Sequence, residues 1–381
     1  MVVPSNRPRH VREFLAAWSP YPWDETIVVC DDAQPFDLYP CRYDLALSWA
    51  DLPSFGADAH VFSRRDSAVR CLGFVTAVGG GADVVLTLDD DCYPAGEPAA
   101  FLARHVENLY YTNPWCSSCP GLVPRGMPYS TGDQVTHRGR CDIGVAVSMG
   151  LWHGHADIDA VHTLADGHQA TNYEPPCGVR VMHPAQFFPF CGMNFAFKAQ
   201  ALPALYFPPM GEGSPFSRFD DIWAGLVLQR ALAAVDMLVT TGEPFVNHAR
   251  ASDPFKNLIR EAPGVEANEW AWRLLGRPLP PQEVLPDAVA VLAERLRRGA
   301  RELAPRHLAG YFERWADNLA AWLRVCQAAF RSRSTLLGRL GEARAELGAP
   351  DLDLVGGLNA EADLAAPNVG DRDDDLGAAV R

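Results

Sequence analysis

Apolar and polar positions come in blocks along the first hundred residues. Val2–Val3 opens a short apolar run that stops in the polar stretch Ser5-Asn6-Arg7, and helical spacing follows from about Val11 to Trp18. ETIVVCDD (25–32) is a second apolar run, ending in acids. RRDSAVRCLGFVTAVG (64–79) sets Ala68, Cys71, Leu72, Val75 and Val78 near helical spacing. GGADVVLTLDDD then supplies a turn and a third strand that runs into Asp89, Asp90 and Asp91. Strand, helix and strand repeat with continuously apolar strands, which predicts an α/β fold with a largely parallel sheet. Ligands of such sheets bind beyond the carboxyl ends of the strands. All three of these strands stop there in polar loops.

Further along, residues 113–142 are rich in Gly, Pro, Ser and Cys and read as a long loop over the sheet. DIGVAVSMGLW (142–152) alternates as a strand, and FFPFCGMNFAFKAQAL (187–202) passes from an apolar strand into a helix. RFDDIWAGLVLQRAL (218–232) predicts a helix with two acids at its start, where they complement the helix dipole. From about Gln282 to Leu347 the pattern is helical, with breaks at Pro305 and near Ser332–Ser334. Leu292, Leu296, Ala300 and Leu303 trace one apolar stripe; Tyr311, Trp315, Leu319 and Trp322 trace another. A packed cap is favoured over an oligomer interface for these stripes, because a stripe at helical spacing more often faces its own core. Three regions follow: a sheet domain over 1–280, a helical cap over 281–348, and a tail over 349–381.

Composition narrows the classes. The 381 residues are 48% hydrophobic and 10% aromatic, which excludes a wholly disordered chain. No uninterrupted apolar run reaches membrane-spanning length, and MVVPSNRPRH lacks a signal core, so a cytoplasmic protein is expected. The net charge of −14 argues against broad nucleic-acid binding. Residues 350–381 hold eight acids and two arginines, hence −6, leaving −8 for the remainder. That acidic segment has no helical or strand period and reads as a solvated tail. The ten cysteines suggest free thiols, and the pair Cys116 and Cys119 reads as ordinary loop thiols ahead of a zinc or redox motif.

Three adjacent carboxylates at a strand end need compensation, because like charges raise one another's pKa. A divalent cation would supply it. Mg²⁺ and Mn²⁺ prefer oxygen ligands, often one or two carboxylates plus phosphate oxygens of a substrate. Strand alternation would set Asp89 and Asp91 on one face. An exposed acidic turn is the plainer alternative.

IVVCDD, RDSAVRCLGF, VVLTLDDDCY, GVAVSMGLW, FPFCGMNFAF, SRFDDIWAG and HARASDPFKN occur in this order. In order and style they resemble the reversibly glycosylated polypeptide family, which includes the UDP-arabinopyranose mutases of plants. The resemblance covers roughly residues 1–325, weakening over 113–139 and 263–285. It implies a nucleotide-sugar-binding fold of the glycosyltransferase A type, with a C-terminal helical region. It implies UDP-sugar as substrate, Mn²⁺ or Mg²⁺ as cofactor, and a site at Asp89, Asp90 and Asp91 for the metal and diphosphate. His248 of NHARASDP matches the late histidine that completes the metal site; a core histidine is the alternative. Asp31 matches the acid expected at uracil or ribose, though here Asp32 follows it where the family has glycine.

The family also carries a reversibly glycosylated arginine twelve residues before the tryptophan of GLW; counting back from Trp152 gives Arg140, with Arg138 its neighbour in HRGR. A guanidinium there would stabilise charge growing on the diphosphate. Arg65, Asp66 and Arg70 are expected to begin a helix near the nucleotide, with an Asp66–Arg70 ion pair within that helix as the alternative. Asp220 and Asp221 match an acidic pair beside the sugar, one for hydroxyls and one for proton transfer or charge stabilisation; helix capping is the plainer role. Gly192 and Asn194 would let the chain approach the sugar. Trp152 and Trp223 read as core ahead of sugar platforms.

The function expected is a metal-dependent UDP-sugar mutase interconverting pyranose and furanose forms, most naturally of UDP-arabinose, in a homo- or hetero-oligomer or alone. Transfer of the sugar to a separate acceptor, and a self-glycosylating or scaffold protein without turnover, are the alternatives.

Overall fold

The structure is a computed structural model that describes residues 1–110, 114–116, 125–131, 138–140, 144–166, 174–175, 177–182, 188–249 and 253–346. Met1–Leu336 forms one compact unit and Leu337–Arg381 a second. The tail expected from 349 onward lies outside the described residues, as does most of the Cys-rich loop, Cys119 included. Among the described residues, no helix is long and apolar enough to cross a membrane.

The chain begins with strand β1 (Val2–Ser5), helix α1 (Pro8–Trp18), β2 (Ile27–Cys30) and β3 (Leu45–Leu47). Helix α2 (Arg70–Gly79) leads into β4 (Val84–Leu88), β5 (Cys92–Pro94) and α3 (Pro98–Tyr110). Two short strands, β6 (Pro114–Cys116) and β7 (Arg138–Arg140), precede the long β8 (Gly144–Gly154). There follow α4 (Ala160–Asp166), β9 (Val179–Val181), β10 (Asn194–Lys198), α5 (Asp220–Ala234) and β11 (Met237–His248). The last helices are α6 (Pro254–Leu275), α7 (Leu285–Glu302) and α8 (Arg306–Glu346).

The strands join in one mixed sheet of order β3-β2-β1-β4-β10-β8-β11-β9-β6-β7, with β5 on the side of β11. The pairs β3-β2, β2-β1 and β1-β4 are parallel, β10 is antiparallel to β4 and β8, and β8-β11 is parallel again. This is an α/β, glycosyltransferase A-type sheet, as the sequence led one to expect, with parallel pairing concentrated at its N-terminal half. Helix α2 lies close on β1 and β2, and a methyl group on Gly73 would meet the side chain of Val2 at 2.5 Å.

One residue shapes the functional edge. Pro4 sits in β1 between two neighbours, and proline has no N–H to donate to a ladder. With β2 the register runs through all four residues, whereas with β4 it is confined to Val2↔Thr87. Beyond that point β1 and β4 have no further ladder partners, and a cleft lined by Pro4 and Asp89 opens there.

Several boundaries differ from the sequence pattern. The strand expected from 187 begins at Asn194, and its following helix is a 3₁₀ turn, Ala199–Ala204. Helix α6 has no counterpart among the elements expected from the pattern; Pro263 and Gly264 lie inside it, and Gly264 admits the ring of Phe219, which a Cβ would meet at 2.5 Å. The break at Pro305 exists, but α8 runs straight through Ser332–Ser334. There Ser334 Oγ donates to the Phe330 carbonyl at 2.9 Å, and Thr335 does the same to Arg331 at 3.0 Å, so the hydroxyls are absorbed within the helix.

The stripes face the chain's own core. Tyr311, Trp315, Leu319 and Trp322 are buried, as are Leu292, Leu296 and Ala300; Leu303, at the end of α7, is exposed. Trp315 stacks on Trp223 at 5.4 Å between ring centroids, and Trp322 Nε1 donates to the Leu202 carbonyl at 3.2 Å. Trp223 is therefore core. Trp322→Ala is expected to destabilise the fold by about 3–5 kcal/mol, the usual cost of deleting a buried tryptophan. Urea unfolding measures this, and a loss below about 1 kcal/mol would mean that α8 is not integral to the core.

Candidate functional site

Beyond the carboxyl ends of β1, β2 and β4 lies a cleft of about 320 Å³. Five of its walls' residues are acids: Asp31, Asp66, Asp89, Asp90 and Asp91. Arg7 and Arg260 are the cations among the lining residues.

The triplet is a turn. β4 ends at Leu88, and Cys92 N donates back to the Asp89 carbonyl at 3.0 Å. Strand alternation therefore does not govern its side chains, and Asp89 turns to one arginine while Asp90 and Asp91 share another. Asp89 accepts from Arg70 Nη2 at 2.5 Å. Asp90 is held by Arg7 through Nε (3.1 Å) and Nη2, and by the hydroxyl of Ser5. Asp91 lies 3.2 Å from Arg7 Nη2 and 3.8 Å from His248 Nε2. Two like charges about 4 Å apart repel by about 4 kcal/mol at a protein surface, so this compensation is needed for the turn to exist. Two guanidiniums supply it for three carboxylates, leaving one formal negative charge, on the side where Asp91 meets His248.

That pair is the candidate metal position. Among the described residues, no group of three His, Cys, Asp or Glu side chains is arranged to hold an ion. Two donors 3.8 Å apart, one carboxylate and one imidazole, nevertheless fit a hard cation that completes its shell with phosphate oxygens and water. His248 Nδ1 is buried without a hydrogen-bond partner among the described residues. Asp89, with a third of its side chain exposed, also borders the cleft.

Arg70 is fully buried at the start of α2. It does not pair with Asp66: besides Asp89 it reaches the carbonyls of Ser67 (2.9 Å) and Gly192. Gly192 is tight against it. A Cβ there would stand 3.3 Å from Arg70 Nη1 and 3.3 Å from the Asp221 Cβ, so a side chain would press on both charged groups. Asn194, by contrast, is consumed internally. Its amide donates to the Leu151 and Pro244 carbonyls and accepts from His105 at 3.0 Å, and it does not line the cleft.

At the β2 end, Asp31 accepts from Trp49 Nε1 (2.9 Å) and from the backbone N–H of Arg65 (2.8 Å). Arg65 adopts φ 65° to make that contact, a left-handed conformation uncommon outside glycine. It precedes the 3₁₀ turn Ser67–Val69, which Asp66 caps. Burial raises the Asp31 carboxyl above its ordinary range.

Asp66 accepts from Ser63 Oγ (2.6 Å), Met210 N (2.6 Å) and Ala68 N (3.0 Å), with no cation partner among the described residues. Ser67 lines the cleft beside it and donates to Asp220 at 2.5 Å. Burial, with the charge of Asp220, pushes Asp66 up to about 7; burial, with the charge of Asp221, pushes Asp220 up to about 6. Asp221 differs in kind. It takes Arg125 Nη2 at 2.9 Å and the backbone N–H of Gly192 at 3.2 Å. Neither acid is the N-cap of α5, which is Phe219.

Arg125 and Asp157 had no sequence signal. Arg125 is buried, bonded to Asp157 at 2.8 Å and to the Arg218 carbonyl, and so ties the Asp221 wall to the segment after β8. Arg7 stood in a polar loop whose importance was legible, although its pairing was not. Arg140 ends β7, which places its backbone at the far edge of the sheet order; its side chain lies outside the described residues.

The raised carboxyls carry a pH signature. A folded-state pKa above the ordinary 3.8 means the folded chain holds protons that the unfolded chain has released. The stability from Asp66 and Asp220 is therefore full below about 4 and is lost as pH rises through 6 to 7. Thermal unfolding between pH 4 and 8 is expected to show this decline, and Asp220→Asn to flatten it; an unchanged slope in that variant would contradict the assignment.

Comparison with known proteins places these residues in a family. Residues 1–329 match the model of the family described as "Reversibly glycosylated polypeptide". UDP-arabinopyranose mutase 2 of Arabidopsis thaliana is 29% identical over 349 residues, covering 82% of this chain and 87% of that protein. UDP-arabinopyranose mutase 1 of Oryza sativa subsp. japonica is 29% identical over 332 residues, with 82% and 86% covered. The probable UDP-arabinopyranose mutase 1 of Pisum sativum is 31% identical over 270 residues, with 66% and 71% covered. The acid triplet, the β2 acid and the α5 acids all fall within the matched residues, and the chain belongs to the reversibly glycosylated polypeptide family.

Proposed function

We propose that this protein is a UDP-sugar mutase that interconverts the pyranose and furanose forms of a UDP-pentose, UDP-arabinose in the first instance. The observation that carries the reading is that relatives named as UDP-arabinopyranose mutases align with 82% of the chain, while the family match over residues 1–329 includes every residue that lines the acid cleft.

In this reading Asp31 meets the nucleoside, and the turn Asp89–Asp91 faces the diphosphate. Asp91 and His248 hold Mn²⁺ or Mg²⁺, with Asp89 at its side. When bound, the ion supplies positive charge to the departing diphosphate. Arg140 is proposed to serve the same developing charge. Gly192 and Asp221, locked by Arg70 and Arg125, form a rigid wall for the sugar.

Ring contraction has a definite proton balance. The C1–O bond to UDP breaks and the ring oxygen shares the resulting positive charge; the C4 hydroxyl closes on C1 and loses its proton; the C1 bond to the old ring oxygen then breaks, and that oxygen takes a proton to become the C5 hydroxyl. UDP then returns to C1, so one proton has moved from O4 to O5. Asp66 and Asp220, linked to the cleft by Ser67, suit that exchange because one can carry the proton while the other is ionised near neutral pH. Asp221 is a positioning residue, since Arg125 holds its carboxylate at 2.9 Å.

The test is incubation of purified protein with UDP-arabinopyranose and Mn²⁺, without acceptor, followed by chromatographic separation. Both UDP-arabinose isomers are expected, with no net UDP released and with loss of turnover on chelation of the metal. UDP release that depends on an added acceptor would replace the mutase with a transferase.

A further inference from the structure

We infer that Arg260 is a diphosphate clamp, the cation that closes the mouth of the cleft over a bound nucleotide diphosphate; this rests on the UDP-sugar reading above. The starting point is charge. The cleft presents five carboxylates, yet its ligand would bring a diphosphate, which is itself anionic. Arg70 is buried with its nitrogens committed to Asp89 and to the carbonyls of Ser67 and Gly192, and Arg7 spends Nε and Nη2 on Asp90 and Asp91. Arg260 is the remaining cation among the described lining residues. It is exposed and makes no ion pair among the described residues; its backbone carbonyl accepts from Ser217 at 3.0 Å. Its fork of donors is thus uncommitted, and a guanidinium matches phosphate oxygens two at a time.

Position supports the same role. β11 ends at His248, which faces Asp91, and α6 begins at Pro254. Arg260 therefore rides the element that directly follows the candidate metal ligand. It also borders a second hollow of about 460 Å³ that Arg65 lines too, so Arg260 is shared by the two hollows.

Calorimetric binding of UDP and of uridine, each with Mn²⁺, separates the possibilities without recourse to turnover. Arg260→Ala is expected to weaken UDP about tenfold, the loss of one charge-assisted contact, while uridine affinity is unchanged. Arg260→Lys is expected to fall between, keeping the charge without the fork. UDP affinity within about twofold of the unaltered protein, or an equal loss for uridine, would overturn the clamp and leave the UDP-sugar reading standing. Failure of the unaltered protein to bind UDP at all would overturn both.

Discussion

Three carboxylates in succession cannot share one turn unless cations hold them, and in this protein Arg7 and Arg70 do so from opposite sides. Arg7 comes from the loop after β1 and Arg70 from the start of α2, so the turn after β4 is bonded to both neighbouring elements. The arrangement costs the chain in desolvation, most of all at Arg70, which is fully buried. Removing either arginine would leave a charged group without its partner, which is far more damaging than the pair is stabilising. The same two arginines also decide what remains available to a ligand, namely Asp91 opposite His248 and the exposed part of Asp89.

The acids around the cleft then divide by their partners. Asp90 and Asp221 are tied to guanidiniums as scaffolding, as is Asp157 behind them. Asp31, Asp66 and Asp220 have hydrogen-bond donors but no guanidinium partner among the described residues, and burial raises all three. Groups of the first kind set geometry. Asp66, pushed up to about 7, and Asp220, to about 6, can change protonation in the range where an enzyme works. The close fit of Gly192 against Arg70 and Asp221 connects the two groups, so that the Asp89 turn and the start of α5 share one rigid joint.

Much of the fold was legible because its elements obey simple periods. VVLTL and IVVC are continuous apolar runs and became buried strands; the stripe Tyr311, Trp315, Leu319, Trp322 became the buried face of α8. What escaped was tertiary. Nothing local says that Pro4 interrupts pairing with β4, that a helix tolerates Pro263, or that Ser334 and Thr335 turn their hydroxyls back on the helix. At the site, the acids were readable as acids, but their partners were not. Arg70 was weighed against Asp66 four residues away and instead reaches Asp89 across the sheet edge, while Arg125 and Asp157 carry no motif at all. Asn194 stood beside a site glycine in CGMN, yet alternation along β10 sends its amide to His105 and the β11 side of the core.

The commitment of the triplet to arginines has a direct thermodynamic consequence. With Asp90 fully engaged and Asp91 shared with Arg7, the protein alone offers a divalent ion few free oxygens; a diphosphate would complete the set. Electron paramagnetic resonance of Mn²⁺ titrated with the protein, in the absence and presence of UDP, measures this. Weak Mn²⁺ binding alone and one tight, UDP-dependent ion per chain are expected. Tight binding without UDP, or none with it, would contradict the central role given to Arg7 and Arg70.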